Sequence, residues 1–207
     1  QTLKISDKLS AYSSLNVQLR KTTNFPEQGY SGLGANFNQW FQRQLDMNRL
    51  RDNYNYNGGI YSWNRVSPRN ANPQYWDAPH FSVNDNLNTQ NKEVFFGNLG
   101  INYEITDDIS ANVEVRRRSN TYRSNSRTGW GGINTESYGE SRNNYNQNEF
   151  VANLNYDKNY GDFDVNALIG YQVTQTASTS LGSSSVGGLT IPGFYSVASS
   201  KDRPNYY

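Results

Sequence analysis

The most constraining feature of the sequence is a strict alternation between Glu93 and Arg118. Phe95, Leu99, Ile101, Tyr103 and Ile105 fall on one side of a period-two register, and Phe96, Asn98, Asn102 and Glu104 fall on the other. After Thr106, Asp107 and Asp108, the register resumes: Ile109, Ala111, Val113 and Val115 oppose Ser110, Asn112, Glu114 and Arg116. The pattern predicts a hairpin with one apolar and one polar face. Its arms match the roughly 9 to 11 tilted residues with which a strand crosses a bilayer.

The same alternation recurs on both sides of this hairpin. Thr2 to Ile5 reads as the end of a strand, and Leu9, Ala11, Leu15, Val17 and Leu19 alternate with Lys8, Ser10, Tyr12, Asn16, Gln18 and Arg20. Further on, Phe150, Ala152, Leu154 and Tyr156, then Phe163, Val165, Ala167, Ile169, Tyr171 and Val173, form a third hairpin across a turn at 157–162. The turn phrases repeat, since Ile5-Ser6-Asp7-Lys8-Leu9-Ser10 and Ile105-Thr106-Asp107-Asp108-Ile109-Ser110 share one pattern. Six strands are therefore expected, at about 1–5, 8–22, 93–105, 108–118, 145–157 and 162–176, with loops at 23–92, 119–144 and 177–207. In the first loop, Asn36 is placed to cap a helix over about 37–51, whose aromatic stripe is Phe37, Trp40 and Phe41 and which ends at the Asn/Gly run 53–59.

Short turns on one side and long loops on the other are the habit of outer-membrane barrels. Six strands are too few to close around a polar lumen, so the fold class expected is all-β: an antiparallel transmembrane β-barrel segment belonging to a larger barrel. Composition fits, with 34% hydrophobic residues, 16 Tyr, 9 Phe and 4 Trp, because alternation lowers mean hydropathy without removing the apolar face. A net charge of +1 offers no field to attract nucleic acid, and the absence of Cys excludes a disulfide framework. No run of 18 apolar residues exists, which excludes a transmembrane helix. The opening QTLKISDKLS lacks a signal peptide's basic start and apolar core and begins in mid-pattern, so the chain is expected to be a piece of something longer.

Signs of catalysis are sparse, and no enzyme, cofactor or metal is expected. His80 is the only histidine and reads as a solvated loop residue, with no nucleophile elbow to accompany it. Asn53-Tyr54-Asn55-Tyr56-Asn57-Gly58 imitates a calcium loop, but Asn holds the first carboxylate position and Asn64 the place of the bidentate Glu, so it reads as a turn. Arg116, Arg117 and Arg118 cannot share one strand face and are expected to mark an exit from the membrane toward anionic headgroups. Tyr12, Tyr103, Tyr156 and Tyr171 suit an interfacial girdle. Trp63, Tyr75, Trp76 and Trp130 lie far out in loops; they either pack loops on one another or stack on a ligand, and are the candidate substrate or lid contacts.

The phrases Asn38-Gln39-Trp40-Phe41-Gln42-Arg43-Gln44-Leu45-Asp46, Asn72-Pro73-Gln74-Tyr75-Trp76, and Phe96-Gly97-Asn98 leading to Tyr103-Glu104-Ile105-Thr106, resemble the mid-barrel of SusC/RagA-like TonB-dependent transporters of Bacteroidota. Gly188-Leu189-Thr190-Ile191-Pro192-Gly193-Phe194-Tyr195 is similar to a stretch further along such barrels, so the resemblance covers essentially all 207 residues. It implies a 22-stranded plugged barrel in the cell outer membrane, among lipid and lipopolysaccharide. It also implies coupling to the TonB complex through a plug this sequence lacks, and a SusD-like surface lipoprotein partner for importing oligosaccharides or peptides. A soluble all-β adhesin or carbohydrate-binding module, and a passive porin, are the alternatives.

Overall fold

The computed structural model describes residues 1–35, 43, 45–52 and 62–207. The chain is mostly antiparallel β, built as a seven-stranded sheet in the order β1-β2-β5-β6-β7-β8-β9 with a separate β3-β4 pair. Five strands are long: β2 (Leu9–Pro26), β5 (Leu87–Glu104), β6 (Ile109–Thr128), β7 (Ser137–Asn159) and β8 (Asp164–Ser184). Four are short: β1 (Thr2–Lys4), β3 (Arg65–Ser67), β4 (Asn70–Pro73) and β9 (Asn205–Tyr206). The sheet does not close on itself. β9 pairs β8 only at Ser183 and Ser184, and β1 covers β2 only from Ser10 to Tyr12.

The repeated turn phrase folds the same way twice. Ile5 and Ser6 both donate backbone N–H groups to the Leu9 carbonyl, at 2.9 and 3.1 Å, and Ile105 and Thr106 do so to Ile109, at 2.9 and 3.2 Å. In each, the hydroxyl at the second position accepts the N–H two residues on, Ser6 from Lys8 and Thr106 from Asp108, both at 3.3 Å. Ser and Thr hold the corner because their short hydroxyls reach their own backbone. The β7–β8 turn uses Asn159 instead: its Oδ1 accepts the N–H of Gly161, whose φ of 81° suits glycine.

The strands run further than the alternation of apolar residues indicates. β5 starts at Leu87 rather than 93, β6 continues to Thr128 rather than 118, β7 begins at Ser137 rather than 145 and β8 reaches Ser184 rather than 176. The supposed loop 119–144 shrinks to 129–136, which weakens the contrast between short and long connections. Polar cross-strand pairs hold the added ladder: Ser119 Oγ donates to Asn146 at 2.8 Å, Thr121 to Asn144 at 3.3 Å, and Ser124 meets Ser141 at 2.9 Å. The first part of the helix expected over 37–51, with Phe37, Trp40 and Phe41, and the cap Asn36 before it lie outside the described residues, as does the calcium-like run 53–58. Within the described part, α1 (Met47–Asp52) packs on α2 (Pro79–Asn84). His80 lies half-buried on α2 rather than in a solvated loop, because Pro79 starts a helix that buries both Pro79 and Phe81.

The chain divides into two compact units. A strand unit comprises Gln1–Arg20, Lys92–Tyr122 and Asn143–Thr179; a loop unit comprises Lys21–Asn91, Arg123–Arg142 and Ser180–Tyr207. In the strand unit, Leu15, Val17, Leu19, Val113, Val115, Leu154, Val165 and Ile169 are exposed, Ile169 at 72%. In the loop unit, Phe81 is 1% exposed and Ala78 fully buried, and Leu50, Leu87 and Leu189 are also buried.

Candidate functional site

In the loop unit, Gly129-Trp130-Gly131-Gly132 closes over α2. A Cβ at Gly129 would stand 2.7 Å from Phe81 Cζ, and one at Gly132 would stand 2.6 Å from Phe81 Cε1, so glycine is what lets the backbone approach the ring. Gly131 adds a φ of 92°. Asp77, next to α2, accepts the Ile133 N–H at 2.8 Å on Oδ1 and the Asn86 amide at 3.1 Å on Oδ2. Asn86 in turn accepts the Gly129 N–H at 2.8 Å. These bonds fasten the 129–134 turn to the 77–86 segment, in keeping with the rule that buried polar groups find partners.

A cavity of about 170 Å³ opens beside this fastening, lined by Tyr75, Trp76, Asp77, Asn86, Ile133, Asn134, Glu27, Pro26, Leu33 and Ser82. Trp76 lies 5.4 Å from the Tyr30 ring at an interplanar angle of 55°, a tilted aromatic pair. Tyr75 stays 71% exposed. Burial pushes the Asp77 carboxyl above its ordinary value, while its bonds from Ile133 and Asn86 pull the other way. The nearby Asp85 is also raised by burial, opposed by the charge of Arg127.

The four aromatic candidates therefore separate. Tyr75 and Trp76 share the cavity. Trp63 lies half-buried after the fully buried Ser62, and Trp130 stands under a cation, with Lys201 Nζ 5.5 Å from its ring centre; neither lines the cavity. Lys201 also pairs with Glu136 at 3.2 Å. Burial pushes Glu136 up, but its bonds with its own backbone, Lys201 and the Leu189 N–H outweigh that and hold it below the usual carboxylate range. The phrase 188–195 is anchored there: Gly188, at φ 100°, lies so close to Glu136 Oε1 that a Cβ would stand 2.7 Å away. Tyr195 lies under the Arg127 guanidinium at 5.0 Å, and burial raises its hydroxyl.

Tyr30, Asp77 and Asn86 were not singled out in the sequence. A carboxylate directly after Tyr75-Trp76 was the available signal for Asp77. Tyr30 and Asn86 are brought in by tertiary placement alone.

The polar face of the strand unit forms a separate network. Glu114, 5% exposed, accepts from Asn98 at 2.5 Å and from Arg116 at 2.7 Å, and Arg116 reaches Glu149 at 2.9 Å. Ser14 donates its N–H to Asn98 at 2.9 Å and its hydroxyl to the same oxygen. Tyr12, named above for an interfacial girdle, joins this network: its hydroxyl accepts from Asn112 at 3.0 Å, and its ring fills the space a Cβ would take at Gly100. Arg116 is likewise held by two carboxylates, and β6 runs ten residues past Arg118, so the three arginines do not end the strand. The arrangement presents fixed hydrogen-bond donors and acceptors along one face and an aromatic, acidic cavity in the loops. No protein-family model matches the chain, and no curated protein matches it.

Proposed function

We propose that the chain is part of the wall and loops of an outer-membrane β-barrel importer of the SusC/RagA-like, TonB-dependent kind, in a barrel of about 22 strands. One observation carries the reading: in the strand unit, Leu15, Val17, Val113 and Ile169 are exposed, while the polar face buries Glu114 in a hydrogen-bond network. A water-soluble sheet would bury the apolar face and solvate the polar one. Lipid on the apolar side and a wet lumen on the other reverse that demand. The open sheet edges support a wall continued by further strands, since an unpaired edge is a liability that barrels abolish.

Import in this reading needs no bond-making residue. Asn98, Asn112, Arg116 and their partners offer the lumen its hydrogen bonds, and Tyr75 and Trp76 meet an oligosaccharide or peptide, or the SusD-like lid, at the loop cavity. Because the chain has no cysteine, single cysteines carrying spin labels test it directly. At positions 15, 113 and 169 a lipid-soluble relaxant should broaden the label strongly, and at 98 and 112 a water-soluble one should. Equal response to both agents at 15, 113 and 169 overturns the membrane reading and leaves a soluble adhesin-like sheet.

A further inference from the structure

The strand unit holds its cations in two ways, and the difference follows position along the strands. At the turn end each is engaged: Lys4 pairs with Asp7 at 2.7 Å, Lys158 pairs with Asp108 at 2.5 Å, and Lys8 Nζ donates to the Ile105 carbonyl at 3.4 Å. Further along, Arg116 is claimed by Glu114 and Glu149. At the far end, Arg20, Lys92, Arg117 and Arg118 are exposed and, among the described residues, form no ion pair or side-chain hydrogen bond.

Register sorts these cations between the two faces. The Tyr12 ring over Gly100 and the Glu104 N–H on the Lys8 carbonyl fix β2 against β5, and that ladder carries Arg20 opposite Lys92. The Asn112 amide, 2.7 Å from Asn102 Oδ1, fixes β6 against β5 and brings Arg118 opposite Phe96. Arg20, Lys92, Phe96 and Arg118 share the polar face, whereas Arg117, like Glu93, alternates onto the other. Directly opposite residues stand about 5 Å apart at Cβ, and like charges so placed weaken the pairing. Arg20 and Lys92 carry that repulsion without an offset, since Glu114 and Glu149, further down the same face, belong to Arg116. Phe96 stays 39% exposed beside Arg118, an open aromatic ring next to a free guanidinium. Four residues of β5 separate it from Lys92, a distance of roughly 13 Å.

We propose that this end of the polar face binds an acidic oligosaccharide of uronate-type sugars, with one ring on Phe96 beside Arg118 and a further carboxylate at Arg20 and Lys92. An aromatic ring offers a flat apolar surface to a sugar, and the cations pair with its carboxylates. A uronate joins ring and carboxylate in one rigid unit, as Phe96 and Arg118 are joined here, whereas an acidic peptide carries its carboxylates on flexible arms that binding must order. The inference rests on the importer reading, in which this face lines the lumen, and adds the charge of the cargo.

The test titrates the full chain in nonionic detergent, by calorimetry, with trigalacturonate, its fully methyl-esterified neutral form, and triglutamate. Trigalacturonate should bind about tenfold tighter than the ester, and the preference should shrink as salt rises from about 0.01 to 0.15 M. Arg20→Gln, Lys92→Gln and Arg118→Gln should each weaken trigalacturonate about two- to fivefold and leave the ester unchanged, a split that misfolding does not produce. Arg117→Gln, one residue away on the other face, should change neither. Equal binding of acid and ester overturns the proposal, as does a loss in Arg117→Gln that matches the loss in Arg118→Gln, or tighter binding of triglutamate. The spin-label pattern is read separately. With that pattern intact, a missing preference for the acid removes the cargo assignment and leaves the wall; with equal response to both relaxants, the importer falls and takes the assignment with it.

Discussion

The two units of the molecule bury opposite things. The apolar side chains withdrawn from solvent, Leu50, Ala78, Phe81, Leu87 and Leu189, all belong to the loop unit. In the strand unit, the side chain buried to the same degree is a carboxylate, Glu114, while Leu15, Leu19 and Ile169 stay outside. The loop unit obeys the solvent rules of a water-soluble domain, and the strand unit inverts them. In the proposed reading, the same chain therefore meets water in one unit and lipid in the other.

The most severe way to break this contrast is to empty the ordinary core. Phe81→Ala removes the ring on which Gly129 and Gly132 rest and should cost the loop unit about 3–5 kcal/mol. Hydrogen exchange should rise across 77–86 and 129–134 and stay unchanged in the turns at 5–9 and 105–109. Next, Val113→Lys puts a charge on the apolar face of β6. In lipid it should cost about 2–4 kcal/mol near the bilayer centre, seen as a lower folded fraction in vesicles. An effect within about 0.5 kcal/mol, ordinary for an exposed site in water, dissolves the contrast instead. Third, Glu114→Ala leaves the Asn98 amide without its acceptor and should lower stability by about 1–3 kcal/mol, measured by denaturant unfolding.

The smallest effects are those of pH on the loop unit, and they run in opposite directions. Glu136 is held below the usual carboxylate range, so the stability it contributes is present above that range and lost as pH falls through its lowered value. Asp77 is raised, so between its ordinary and raised values the folded state holds the extra proton and stability rises as pH falls. Glu136→Gln should flatten the acid loss read by loop tryptophan fluorescence, and Asp77→Asn should steepen it. The reverse pattern would mean that the two carboxylates are misassigned.

How much of this was legible depends on which force holds each part. The hairpin turns could be read because Ile5-Ser6-Asp7 and Ile105-Thr106-Asp107 carry hydroxyls at the position where the corner needs an acceptor. The strand faces could be read wherever apolar residues alternate, as at 109–115 and 150–156. The ends of β6 and β7 could not, because 119–128 and 137–146 are nearly all polar and their pairing rests on Ser, Thr and Asn meeting across the ladder. A hydroxyl pair leaves no periodic trace in hydropathy. In the loop unit, the sequence leaves Trp63, Tyr75, Trp76 and Trp130 open between packing loops and stacking on a ligand, and it carries no sign that Trp76 meets Tyr30 or that Trp130 lies under Lys201.

The polar stretch of the β6–β7 hairpin has a consequence for how such a structure is free to vary. Where mutual hydrogen bonds between small side chains hold two strands, removing two residues from each arm preserves inside and outside, since side chains alternate with a period of two. Each such excision shortens the hairpin by about 7 Å and exposes no oily surface. Its rim is therefore trimmed or raised in fixed steps, like courses of brick, without disturbing the masonry beneath.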